Sequence, residues 1–277
     1  VITEPGVYTM PEADYHADPV PGGSLSCSGA KKLLACPARF AYDREHPPAP
    51  TAAMELGTAA HRLVLGAGAE LVVIDADDWR TKAAKEAAAA AREAGAVPLL
   101  TAEHAQVQAM AAALREHPVA AALFDPDRGD PEQSLFWVDD RTGVWLRSRL
   151  DWLPRQPAGR LIIGDYKTAV SASPDGFSRA VLNFSYHQQA AFYTDGAAAL
   201  GLDGDPAFLF VVQEKTPPYL VAVYELDALA TEAGRARNRR AAEMFRDCTE
   251  AGIWPGYSAE VEPISLPPWA TRIEEYA

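Results

Sequence analysis

The chain is expected to fold as an α/β protein with a mixed central sheet flanked by helices and an inserted helical pair. Two observations predict this. Strand-like segments come in a group of three and a group of two, each followed by a helical segment, the order of a sheet covered by helices. The run from Gly143 to Asp151 also alternates, with Trp145, Arg147, Arg149 and Asp151 on one face and Val144, Leu146, Ser148 and Leu150 on the other. That is the period of a strand. With 277 residues, 48% of them hydrophobic, the chain can bury a large core. It is read as one domain, 1–277.

A short strand is predicted over Gly6–Met10, then turns over Asp18–Gly23. A helix follows with Ser26 or Ser28 as its N-cap and breaks at Cys36-Pro37. His46 to Pro50 reads as a stiff loop. The next helix carries His61 and ends near Gly66. Two alanine-rich helices, Trp79–Ala94 and Ala102–His117, are bounded by Gly95 and Pro118. This pair, roughly 79–117, is taken as an elaboration packed on the core or on a neighbouring subunit.

The sheet is predicted to run through Glu132–Val138, Val144–Trp152 and Arg160–Thr168, resuming at Ala207–Glu214 and Tyr219–Leu226. Asp139 to Gly143 and Thr216-Pro217-Pro218 read as turns. Helices are expected over Asn183–Leu200 and Asp227–Gly252.

The chemistry concentrates where the third strand ends, in Leu161-Ile162-Ile163-Gly164-Asp165-Tyr166-Lys167-Thr168. In a strand, residues i and i+2 share a face, so Asp165 and Lys167 project together and Tyr166 turns away. A carboxylate suits a hard divalent cation, and a neighbouring ammonium can orient water or offset charge on a phosphate. Asp151 ends the preceding strand and shares that cation if the two strands pair.

This arrangement resembles the core of the PD-(D/E)XK nuclease superfamily, and the flanking segments are similar to its RecB-like branch. Ser24 to Phe40 resembles the first helix of that branch. Leu56-Gly57-Thr58-Ala59-Ala60-His61 is similar to its G-x-x-x-H helix, and Gln189-Ala190-Ala191-Phe192-Tyr193 to its Q-x-x-x-Y helix. Gly252 to Tyr257 looks like the ending of RecE-type exonuclease domains of phages and prophages. The resemblance implies a restriction-endonuclease-like fold and a catalytic set of Asp151, Asp165, Lys167, Gln189 and Tyr193. Gln189 and Tyr193 would position the lysine or the DNA backbone. It also implies Mg²⁺, or Mn²⁺, held by Asp151, Asp165, the Tyr166 carbonyl, and His61 or Glu132.

The activity implied is 5′ to 3′ digestion of linear double-stranded DNA, leaving 3′ tails for an annealing partner in recombination. A homo-oligomeric ring around the DNA goes with it. The alternatives are a repair or CRISPR-associated nuclease acting with a partner, and a non-catalytic DNA-end-binding protein.

The formal charge of −13 runs against a nucleic-acid partner in bulk, but a local basic track suffices for sliding. Ser26, Ser28 and Lys31 on the first helix, and Arg147 and Arg149 beside Asp151, are the candidate DNA contacts. Arg235, Arg237, Arg239 and Arg240 on the last helix read first as a solvated face. The three cysteines, Cys27, Cys36 and Cys248, show no C-x-x-C spacing. Neither a zinc site nor an iron-sulfur cluster is expected. With no spanning apolar run and no signal peptide, the chain is expected in the cytoplasm of a bacterial host, away from membranes.

Overall fold

The computed structural model describes residues 1–46, 52–155 and 159–266. The stiff loop expected over 46–50, apart from His46, and residues 156–158 of the connection between the second and third sheet strands lie outside them. A seven-stranded sheet runs in the order β1 (Gly6–Thr9), β5 (Gly129–Val138), β6 (Trp145–Pro154), β7 (Ile162–Ala169), β8 (Ala207–Glu214), β9 (Val221–Glu225), with β2 (Leu25–Ser26) on β6. β7 and β8 are parallel, while β1–β5, β5–β6, β6–β7 and β8–β9 are antiparallel. The sheet is therefore mixed, as expected.

Alternation in β6 is complete from Trp145 to Trp152: Leu146, Ser148, Leu150 and Trp152 are buried, and Trp145, Arg147, Arg149 and Asp151 half-buried. The β5–β6 hairpin closes where Asp139 accepts from the Gly143 backbone N–H at 2.8 Å. Gly143 takes φ +70° there, a conformation that costs glycine little.

Helices cover both faces of the sheet. On one lie α2 (Cys27–Ala35), α3 (Pro37–Glu45), α8 (Pro174–Asn183), α9 (Tyr186–Ala199) and α10 (Ala228–Ala251), over a core of Leu33, Leu150, Ile163, Phe177, Phe208, Phe210 and Phe245. On the other lie α4 (Ala52–Leu65), α6 (Thr101–Glu116) and α7 (Pro118–Leu123), over Met110, Leu114, Phe124, Trp152, Tyr166 and Val211. The C-terminal segment returns to α3. Trp254 packs on Phe40 and Phe245, and the Ala38 N–H donates to the Pro255 carbonyl at 3.0 Å.

Several elements differ from expectation. The second alanine-rich helix, α6, packs on the core, supplying Val107, Met110 and Leu114 to it. Not expected was a parallel pair, β3 (Leu71–Ile74) and β4 (Val97–Leu100), flanking α5 (Lys82–Glu93), with Val97 and Leu99 in the same core. Such short apolar runs are too brief for periodicity to mark them as strands. A five-residue helix, α1 (Glu12–His16), precedes β2. The helix expected from Asn183 begins at Tyr186, after a corner where Ser185 takes φ 52°. α8, capped by Ser173, lies before that corner.

Candidate active site

The site is built where the sheet splits. β5 takes one edge of β6, and β2 and β7 divide the other. Leu25 and Ser26 pair with Leu146 and Arg147, whereas among the described residues β7 joins β6 at one register position, Trp152 opposite Gly164. The next step along both strands sets Asp151 against Asp165. The start of α2 lies alongside, its Ser26, Cys27 and Ser28 lining the same cleft as Asp151. An open cleft of about 460 Å³ results, lined by Ser26, Cys27, Ser28, Lys31, Gly57, His61, Glu132, Arg149, Asp151, Gln189 and Tyr193, and by Glu12, Tyr15 and His16 near α1.

Asp165 and Lys167 share a face as predicted, and Tyr166 points the other way. Asp165 is almost wholly buried, at 1% exposure. Its Oδ1 accepts from Gln189 Nε2 at 2.7 Å. Lys167 Nζ lies 2.5 Å from Oδ2, a buried ion pair. Burial pushes Asp165 up to about 6, Lys167 opposing and Asp151 adding to the shift. Burial lowers Lys167 too, yet Asp165 and Asp151 outweigh it and hold the ammonium up at about 12.

The Tyr166 backbone N–H donates to Asp151 Oδ2 at 2.8 Å, locking one strand's carboxylate to the other strand's main chain. On the far face the Tyr166 hydroxyl donates to Gln213 Oε1 at 2.6 Å. His61 Nδ1 lies 3.5 Å from Asp151 Oδ2, and its ring meets the edge of Tyr166 with centroids 5.0 Å apart. Burial pushes the imidazole down to about 4, so it is neutral at pH 7 and keeps a lone pair for a ligand.

Glu132 sits across from Asp151 on β5, at φ 57°, and is raised by burial and by Asp151. Its carboxylate is tied to Arg149 Nε at 2.5 Å. Tyr193 follows Gln189 by one helical turn, lines the cleft and packs edge-on to Phe208.

Other candidates sit differently from the sequence reading. Arg147 does not line the cleft; its guanidinium is held by Asp18 at 2.7 Å and by both Ser24 oxygens. Arg149 reaches the cleft but is spent on Glu132, Ser134 and the Met10 carbonyl. A buried arginine beside a carboxylate is more stable paired than reaching outward. Gln189 holds Asp165 rather than the lysine. Ser26 caps α2 by accepting from the Gly29 N–H at 3.1 Å, and Ser28 lies 3.2 Å from it. Lys31 donates to the Phe184 carbonyl at 2.8 Å. On α10, Arg235 and Arg239 pair with Asp195 and Glu232, and Arg237 donates to Gln188. The three cysteines are buried free thiols. No described helix is long and apolar enough to cross a membrane.

Sequence reading missed Tyr186, over whose ring the ammonium groups of Lys167 and Lys31 lie at 5.4 and 5.7 Å. Nothing local marks an aromatic as a lysine's seat.

Among the described residues no three His, Cys, Asp or Glu side chains converge closely enough to enclose a metal by themselves. A Mg²⁺-type ion does not require that, since it takes one or two carboxylates and keeps several waters. Asp165 Oδ2, Asp151 and the Tyr166 carbonyl are hard oxygens of the kind such a cation takes.

A pH dependence follows. Asp165 titrates near 6 in the fold against 3.8 in its ordinary state, so between those values the folded form binds the extra proton. Acidification from pH 7 to about 4.5 therefore adds stability through this residue. Without divalent cation, the melting temperature of the wild type relative to Asp165→Asn should rise across that window. Mg²⁺ competes with the proton, so its stabilisation of the wild type should fade below pH 6. Calorimetry with and without EDTA measures both effects, and a pH-independent difference between the two proteins would contradict the assignment.

A family model described as a PDDEXK-like domain of unknown function (DUF3799) matches residues 26–267. No curated protein matches the chain. Among solved structures, a protein described as a "Putative exonuclease" from Eubacterium rectale aligns over 93% of this chain and 97% of its own. Its TM-score is 0.63 and its identity 11%, a likeness of fold. SSO0001 aligns over 83% of this chain and 86% of its own at 12% identity, with a TM-score of 0.32, too low to bear on the argument.

Proposed function

The chain belongs to the PDDEXK-like family DUF3799, and on that premise we propose that it is a divalent-cation-dependent exodeoxyribonuclease acting on linear double-stranded DNA. One observation carries the reading: Asp151, Asp165 and Lys167 are brought together at the splay of β6 and β7, with Gln189 and the Tyr166 main chain fixing the two carboxylates. Polarity from 5′ to 3′, use of the 3′ tails by an annealing protein in recombination, a ring-shaped oligomer and a bacterial cytoplasmic setting belong to the same proposal. They rest on the resemblance to RecE-type domains.

Asp151 and Asp165 would hold Mg²⁺, with the Tyr166 carbonyl and neutral His61 at hand. Bound there, the cation supplies charge to the scissile phosphate and acidifies a water. Gln189 keeps Asp165 Oδ1 turned inward and leaves Oδ2 to the site. Lys167 stays charged at every physiological pH, so its part is to orient the attacking water and offset charge on the phosphate rather than to remove a proton. Glu132, tied to Arg149, bounds the cleft opposite.

The test compares wild type with Asp165→Ala on linear and closed-circular duplex DNA, labelled at either end where ends exist, with Mg²⁺ or EDTA. Early Mg²⁺-dependent release of 5′ label from linear DNA alone, lost in the variant, is the expected result. Binding of ends without release under any metal would leave a non-catalytic end-binding protein.

A further inference from the structure

The corner between α8 and α9 carries a feature that the catalytic set does not use. Phe184 is 61% exposed and Leu182 73%, on a chain whose other eight phenylalanines are all buried. The corner is held rather than loose. The Phe184 N–H donates to the Ala180 carbonyl and the Ser185 N–H to the Leu182 carbonyl. The Phe184 ring leans on Tyr186 at 5.6 Å, and Tyr186 is wedged against Phe177 and Phe210.

Position gives this aromatic its meaning. Its carbonyl accepts from Lys31 Nζ at 2.8 Å, and Lys31 lines the catalytic cleft. Tyr186, the ring beneath it, carries the ammonium of Lys167. Phe184 is thus one ring removed from the reacting lysine. Arg237 adds positive field: its Nε donates to Gln188, the neighbour of the glutamine that holds Asp165, and with Lys167 it helps, after burial, to lower the Lys31 ammonium. On a chain of net charge −13, this rim sets Lys31 beside an exposed ring, with Lys167 over the ring behind it.

We infer that Phe184 and Lys31 form a nucleotide-binding step at the rim of the cleft, the ring stacking on an unpaired base and the ammonium taking the adjoining phosphate. Lys31 spends one of its three donors on the Phe184 carbonyl, leaving the others for phosphate oxygens. Every base offers a π face, so the contact is indifferent to sequence, as end digestion requires. The step favours a frayed or tailed end over a blunt one, because the base must leave its partner to stack. This inference rests on the nuclease reading.

The experiment uses Asp165→Asn as the cleavage-deficient background and compares it with the same chain carrying Phe184→Ala or Phe184→Trp. Binding of a single strand, a tailed duplex and a blunt duplex, each with 2-aminopurine near the end, is followed by fluorescence in Mg²⁺. The exposed position makes the alanine variant fold normally, which its melting temperature checks. Phe184→Ala should weaken single-strand and tailed binding about 10-fold, leave blunt binding nearly unchanged and abolish 2-aminopurine quenching. Phe184→Trp should keep all three. Equal affinities and quenching in the parent and the alanine variant would overturn the stacking step while leaving the nuclease reading intact. No DNA binding by the parent and none by the wild type would sink that reading itself. A change of sedimentation in Phe184→Ala with DNA affinity unchanged would make the corner a contact between copies of the chain.

Discussion

Lys167→Met is expected to lower the rate of hydrolysis by about 10³-fold while leaving the fold and the cation site in place. Methionine keeps the stem and its contact with Tyr186 but removes the charge 2.5 Å from Asp165 Oδ2. Two consequences separate a catalytic role from a structural one. Asp165 and Asp151 are both held down by Lys167, so in the cation-free variant they become harder to ionise. Once a cation binds, however, it no longer faces a neighbouring ammonium. Mg²⁺ affinity, read at pH 8 by calorimetry, should therefore be kept or strengthened as turnover disappears. Turnover within 10-fold of wild type would remove Lys167 from the mechanism, and loss of Mg²⁺ binding would make it a builder of the site instead.

The largest effect on stability is expected from Gly234→Ala. A methyl group there would stand 2.1 Å from the His187 carbonyl oxygen and 3.0 Å from the Gln188 nitrogen. These are backbone atoms, which cannot swing aside as a side chain can. α9 and α10 touch main chain to main chain at this crossing, where Asn238 also donates to the Gln188 carbonyl at 3.1 Å. Forcing them apart should cost about 3 kcal/mol, or roughly 5 °C in melting temperature for a chain of this size. Gly204→Ala, whose methyl group meets nothing within 4 Å, should change stability by less than about 0.5 kcal/mol. The damage extends to function, because Gln189 follows directly on the displaced backbone and its hydrogen bond to Asp165 is short. A Gly234→Ala protein that melts with the wild type would show that the crossing relaxes freely.

Much of the fold was legible because its signals are local. The period of two in β6, the apolar run ending at Asp165-Tyr166-Lys167, the Ser26 cap and the start of the last helix near Asp227 act through neighbours within a few residues, and each lies within a residue or two of its expected place. The elements that escaped, β3, β4 and the corner at Ser185, are too short for periodicity to speak, or depend on a backbone conformation that serine seldom adopts.

The site divides along the same line. By itself the sequence determined which residue types stand at the strand ends, and that Asp165 and Lys167 share a face that Tyr166 leaves, since strand geometry alone dictates it. Only the tertiary structure decided the partners. It turned Arg147 and Arg149 inward to Asp18 and Glu132, set Gln189 on Asp165, seated two lysines over Tyr186 and left Phe184 in solvent. Those choices depend on which charges meet after the helices close over a split sheet. A buried charge takes the nearest opposite charge or polar group, whatever its distance along the chain.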